Sequence, residues 1–227
     1  MIVKRIVTAL LLGGLLLAIL LRAPVSWSMV LITVAILVGA WEWSSFLRAP
    51  QLLLRLAYVL FVAMLLYGAW QVSGTAAGLQ RVLWVALMRL RVDWAQGAEW
   101  TLFLLFLVWS ADTGAFIAGK ALGRHKLAPR VSPGKTWEGA AGGLVLGGLF
   151  AWLAAGWFVQ PVVSFVAVSL VVVIFSIIGD LTESMLKRYA GLKDSGQLIP
   201  GHGGIMDRMD SITAAAPVLM FGMGMLR

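Results

Sequence analysis

Pro161-Val-Val-Ser-Phe-Val-Ala-Val-Ser-Leu-Val-Val-Val-Ile-Phe-Ser-Ile-Ile-Gly-Asp180-Leu-Thr182 runs the thickness of a bilayer without a charge until Asp180. About 20 apolar residues suffice to cross the hydrocarbon layer as a helix. On either side of this run the same pattern recurs, at roughly 2–21, 25–46, 51–72, 97–119, 137–158 and 211–226. In lipid every backbone N–H and C=O must be satisfied internally, so only helices and closed barrels span. These stretches are too long and too continuous for barrel strands. They predict an all-α fold, a polytopic transmembrane helical bundle of about seven spans.

Composition agrees. Of 227 residues, 61% are hydrophobic and only 12% charged, with a mean hydropathy of +0.93. Soluble domains are closer to half apolar and a quarter charged, so a water-soluble globule is excluded. One membrane-embedded domain, 1–227, is expected. The chain has no cysteine, hence no disulfide framework and no thiolate metal site. The net charge of +8 does not call for nucleic acid. In a membrane protein it reflects Lys and Arg kept in cytoplasmic loops, and it suits lipid headgroups and nucleotide phosphates.

Lys4 and Arg5 precede the apolar run Ile6–Leu21, which is longer than a signal-peptide core and lacks a following A-x-A-like site. It reads as an uncleaved first span. With the N-terminus inside, 13 Lys and Arg residues fall on the cytoplasmic side (Lys4, Arg5, Arg48, Arg55, Lys120, Arg124, Lys126, Arg130, Lys135, Lys187, Arg188, Lys193, Arg208) and five on the other (Arg22, Arg81, Arg89, Arg91, Arg227). That asymmetry orients the N-terminus to the cytoplasm. The Arg81–Arg91 stretch runs against the rule and reads as a short interfacial helix, flanked by Trp84 and Trp94.

Two polar segments then share the cytoplasmic side, Lys120 to Glu138 and about Asp180 to Asp210. In the second, Gly201-His-Gly-Gly-Ile-Met-Asp-Arg-Met-Asp210 combines a flexible Gly-rich backbone with two carboxylates three apart. Asp207 and Asp210 on one helix face suit Mg²⁺, or else favour a helix N-terminus through its dipole. Asp180 closes an apolar span, where a carboxylate is costly and usually functional, and Glu183 follows one turn on. Asp112, in Trp109-Ser-Ala-Asp-Thr-Gly-Ala-Phe116, has a similar setting. Glu42 is apolar in its surroundings without a motif and reads as interfacial or structurally paired. His202 reads as a base or as a turn hydrogen-bonder, and His125 as a phosphate contact or inert.

Lys187, Arg188 and Lys193 near Asp180, with Lys135, supply the cations a triphosphate needs, although any one of them alone reads as loop charge. Gly134-Lys135-Thr136 is not a P-loop: Pro129 stands where that motif needs Gly, and no strand is expected before it. Gly139, Gly143 and Gly147 form a small-residue stripe of the kind that lets helices pack closely.

The stretch from Ser184 to Asp210 matches S-x-x-K-R-x-x-x-x-K-D, a short spacer, then H-G-G-x-x-D-R-x-D at every fixed position: Ser184, Lys187, Arg188, Lys193, Asp194, His202, Gly203, Gly204, Asp207, Arg208 and Asp210. It closely resembles the signature of the phosphatidate cytidylyltransferases, the CDP-diacylglycerol synthases. Residues 109–139 resemble that family's second characteristic region. The resemblance covers the C-terminal half, roughly 109–211, and implies that CTP and phosphatidic acid give CDP-diacylglycerol and pyrophosphate. It implies Mg²⁺, often with a monovalent cation such as K⁺, and Asp180, Asp207 and Asp210 as the metal ligands. Asp180, Lys187, Arg188, Lys193, Asp207 and Asp210 are then the catalytic candidates. Asp112, Lys135, Ser184, Asp194, His202, Gly203, Gly204 and Arg208 are the substrate-binding ones. The expected setting is a bacterial cytoplasmic (inner) membrane with the site facing the cytoplasm, membrane lipids as neighbours, and room for a homodimer. The competing class is a transporter or channel, supported by acids at membrane depth. One-sided clustering of those acids with basic partners, and the lack of an internal repeat, argue against it.

Overall fold

A computed structural model describes residues 2–45, 52–72, 90, 96–196 and 203–226. Among these, seven helices coincide with the seven apolar stretches: α1 (Ile2–Arg22), α2 (Val25–Trp43), α3 (Leu52–Val72), α4 (Gly97–Leu122), α5 (Trp137–Ala155), α6 (Val162–Tyr189) and α7 (Met206–Gly224). Four of them, α2, α4, α5 and α6, are long and apolar enough to cross a membrane. The Arg81–Arg91 stretch, expected as an interfacial helix, lies outside the described residues.

One feature departs from the all-helical expectation. Strands β1 (Lys126–Ala128) and β2 (Ser132–Thr136) form an antiparallel hairpin between α4 and α5. Gly134-Lys135-Thr136 therefore lies in a strand, with another strand before it, which corrects the expectation that no strand precedes it. The strand ends where Thr136, in extended conformation, caps α5 by accepting a hydrogen bond from Gly139 N–H at 3.0 Å.

The chain forms two compact units with interleaved segments. The first comprises Met1–Thr101 and Leu186–Met209. In it α2 packs on α3, with Leu66 set among Met29, Ile32, Ile36, Leu37 and Val62. Arg55 ties the base of α3 to the end of α2: its Nε donates to Ser44 Oγ (2.8 Å), its Nη2 to the Trp41 carbonyl (3.1 Å), and its guanidinium stacks 4.2 Å from the Trp41 ring.

The second unit comprises Leu102–Met185 and Asp210–Arg227. Here the glycine stripe presses α5 onto α4. A Cβ at Gly139 would stand 2.9 Å from the Ala115 carbonyl oxygen, and one at Gly143 2.9 Å from that of Ala111, so only glycine permits this approach. Below the stripe, Phe103 meets Phe150, Phe158 and Phe165 with ring centroids 5.7, 5.4 and 5.0 Å apart. Outward-facing positions are apolar too: Val145 and Val163 are 72% and 84% exposed. So much exposed apolar surface is stable against lipid tails, not water.

Candidate active site

In the first unit, Lys187 and Gly204 of the signature, with Ser195, close on Asp207 at the start of α7. Lys187, near the end of α6, places Nζ 2.7 Å from Asp207 Oδ1. Ser195 N–H donates to both carboxylate oxygens, at 3.1 and 3.0 Å, and Gly204 N–H donates to Oδ2 at 2.9 Å. Gly203 turns the chain with a φ of +82°, a conformation that L side chains resist, so the motif needs glycine there. Burial alone pushes the Asp207 carboxyl up. The Lys187 ammonium and the N–H groups of Gly204 and Ser195 outweigh it and hold the group below its ordinary value. Asp207 is thus an ionised acceptor at neutral pH. Lys193 and Asp194 are exposed in the loop between α6 and α7, and Arg188 and Arg208 are exposed on their helices. Arg188 Nη1 donates to the Leu192 carbonyl at 3.4 Å. His202 lies outside the described residues.

The second unit gathers a separate set. Lys135, on β2, forms an ion pair with Asp180 of α6. Ser184 Oγ donates to Asp180 Oδ1 at 3.4 Å, one turn along the helix. Asp180 is eighteen residues past Val162, about 27 Å along α6 at 1.5 Å per residue. That length is close to the thickness of a hydrocarbon layer, about 30 Å. The hairpin that presents Lys135 is fastened to α5: Glu138 accepts from His125 N–H at 3.2 Å and meets His125 Nδ1 at 2.6 Å. His125 is therefore a brace for the hairpin. Asp112 is exposed on α4, Asp210 is half-buried on α7 with Oδ1 accepting from Ser211 N–H at 2.7 Å, and Glu183 is buried on α6.

Carboxylate oxygens are the donors that a hard divalent cation takes, and Asp180, Asp207 and Asp210 each carry them. Among the described residues no three His, Cys, Asp or Glu side chains come together as a group that could hold a metal ion.

Glu42, on the last turn of α2, is the participant that the motifs do not contain. It is 4% exposed and accepts hydrogen bonds from Ser195, Ile205 and Met206 in the first unit. Its one sequence signal is a carboxylate flanked by Trp41 and Trp43 at the end of an apolar run. Structural pairing, one of its two readings from the sequence, is what the fold shows.

Helices long and apolar enough to cross a membrane, with a lysine–aspartate pair beside a Gly-rich turn in the first unit, define a membrane protein with a charged polar site. Comparison with known proteins makes this specific. The model of the cytidylyltransferase family matches residues 57–226. A phosphatidate cytidylyltransferase of Haemophilus influenzae is 33% identical, the match covering 97% of this chain and 98% of the relative. One from Pseudomonas aeruginosa is 36% identical over 96% of this chain and 95% of its own length. One from Brucella suis is 50% identical over a shorter stretch, 61% of this chain and 52% of the relative. The chain belongs to the cytidylyltransferase family. The likeness read from the C-terminal half extends over nearly the whole length.

Proposed function

We propose that this protein is a phosphatidate cytidylyltransferase, transferring the CMP moiety of CTP to phosphatidic acid to give CDP-diacylglycerol and pyrophosphate. The observation that carries the reading is the clasp on Asp207 of the signature residues Lys187 and Gly204, joined by Ser195. A phosphate oxygen of the lipid attacks the α-phosphorus of CTP. The P–O bond to the β-phosphate breaks, and pyrophosphate leaves with that electron pair. No protein nucleophile is required, so the chain's task is to position the phosphates and offset their charge. Lys135, Lys187, Arg188, Lys193 and Arg208 supply cations for the triphosphate, the departing pyrophosphate and the lipid headgroup. Asp112, Ser184, Asp194, His202, Gly203 and Gly204 contribute to substrate binding.

By the family resemblance, Asp180, Asp207 and Asp210 are the candidate ligands for Mg²⁺, with a monovalent cation such as K⁺ as companion. Bound there, the metal would offset charge on the phosphates. Seven spans with the N-terminus in the cytoplasm of a bacterial inner membrane, as a single domain, place the signature where CTP arrives from water and the lipid from the bilayer. A homodimer is compatible with this arrangement.

The test is formation of CDP-diacylglycerol by purified protein from labelled CTP and phosphatidic acid with Mg²⁺, with and without EDTA. Product that needs Mg²⁺ and is absent from Asp207→Asn supports the reading. Folded protein that makes none in a suitable lipid overturns it, and ion flux through vesicles carrying the protein would then favour transport.

A further inference from the structure

We infer that Glu42 is a positioning residue for the transfer reaction, its carboxylate holding in place the turn that carries Asp207. The inference rests on the reaction proposed above. No motif includes Glu42.

A carboxylate almost removed from solvent is costly unless hydrogen bonds replace its water. Glu42 has three such bonds. Ser195 Oγ donates to Oε2 at 3.1 Å, Ile205 N–H to Oε1 at 3.0 Å, and Met206 N–H to Oε2 at 2.9 Å. The last two donors stand at the N-terminus of α7, where backbone N–H groups have no partner within the helix and the dipole favours an anion. Glu42 therefore caps a helix that begins 164 residues later. Space is reserved for it: a Cβ on Gly196 would lie 2.6 Å from Glu42 Oε1, and one on Gly204 2.6 Å from its carboxyl carbon. Gly204 is thus required by what lies against it.

The same few residues serve both carboxylates. Ser195 gives its hydroxyl to Glu42 and its N–H to Asp207. Gly204 N–H goes to Asp207 while the next two N–H groups go to Glu42. The turn is strung between two anions, one on α2 and one at its own helix start. Glu42 can act as a fixed point because the end of α2 is itself fastened by Arg55. If Glu42 loses its charge and one acceptor, Asp207 and its Lys187 partner lose their fixed frame. The reacting phosphates are then held in poorer alignment although their contacts remain available.

The experiment uses the full chain in lipid nanodiscs. It compares wild type with Glu42→Gln and Ser195→Ala for kcat and for KM toward CTP, per folded molecule. Amide exchange at Ile205 and Met206 is followed in parallel. Glu42→Gln should lower kcat by about ten- to a hundredfold, with KM changed by less than about threefold, as expected for misalignment. Exchange at Ile205 and Met206 should rise. Ser195→Ala, which keeps the N–H donated to Asp207, should lower kcat by about three- to tenfold. A folded Glu42→Gln protein with kcat within about twofold of wild type overturns the inference. Should Glu42→Gln fail to fold, Ser195→Ala decides, and wild-type kcat with wild-type exchange overturns it. A wild-type protein that makes no CDP-diacylglycerol defeats the reaction instead. In that case exchange still reports whether Glu42 holds the turn, and unchanged exchange in Glu42→Gln overturns that claim as well.

Discussion

Lys187 Nζ stands 2.7 Å from Asp207 Oδ1, and each side chain is only 10% exposed. A lysine and an aspartate twenty residues apart are thereby joined where a long helix ends and the next begins. Such a pair is poised rather than merely stabilising. Phosphate oxygens would compete for the ammonium, and a cation would compete for the carboxylate.

Asp207→Asn keeps the shape of the side chain and removes its charge. Turnover should fall at least about a hundredfold, the scale of losing one preorganised charged contact in a dry site. The protein should remain folded in detergent. The measurement is CDP-diacylglycerol formation alongside size-exclusion behaviour. Near-normal turnover would remove Asp207 from the catalytic set.

The acid response of stability follows from the same residue. Its folded-state pKa is depressed, so its contribution is fully present above the unfolded aspartate value of about 3.9 and is lost as pH falls through the folded value. The melting temperature of wild type should exceed that of Asp207→Asn at neutral pH. The gap should shrink in acid below the usual carboxylate range. A gap independent of pH would mean that the folded and unfolded values are equal.

Lys135 and Asp180 should behave as a unit. Lys135→Ala should weaken the dependence of rate on CTP concentration. Combined with Asp180→Asn, its effect should be far from additive, because side chains in contact couple by about 0.5–3 kcal/mol. Four-way kinetics of the two single variants, the double and wild type measure this directly. Strict additivity would leave Lys135 as loop charge.

Packing gives a control free of chemistry. Gly143→Ala adds a Cβ 2.9 Å from the Ala111 carbonyl oxygen and should cost about 1–3 kcal/mol, seen as a lower melting temperature in detergent. Gly156→Ala, at the far end of the same helix, meets open space in an ordinary right-handed conformation and should be neutral within about 0.5 kcal/mol. Equal effects would contradict the packing of α4 on α5.

The helices were legible because lipid selects long apolar runs, and α6 begins within one residue of the run that starts at Pro161. The signature acids and bases were legible by spacing. The hairpin was not. Ser-Pro-Gly-Lys-Thr has poor strand propensity, and what holds that segment is partly the His125–Glu138 pair thirteen residues apart. Nor was the role of Glu42. Its partner Ser195 lies 153 residues away, and no local pattern reports a contact at that distance.

The contact of α5 on α4 also governs how freely this chain can drift. On the outer face of α5, Val145, Leu149 and Leu153 are exposed, so one aliphatic residue can replace another there. Along Gly139 and Gly143 a side chain is costly, because a Cβ at either would meet a backbone carbonyl oxygen of α4 at 2.9 Å. One helix thus carries a permissive edge and a constrained edge, and the constraint on the second comes from packing rather than from catalysis.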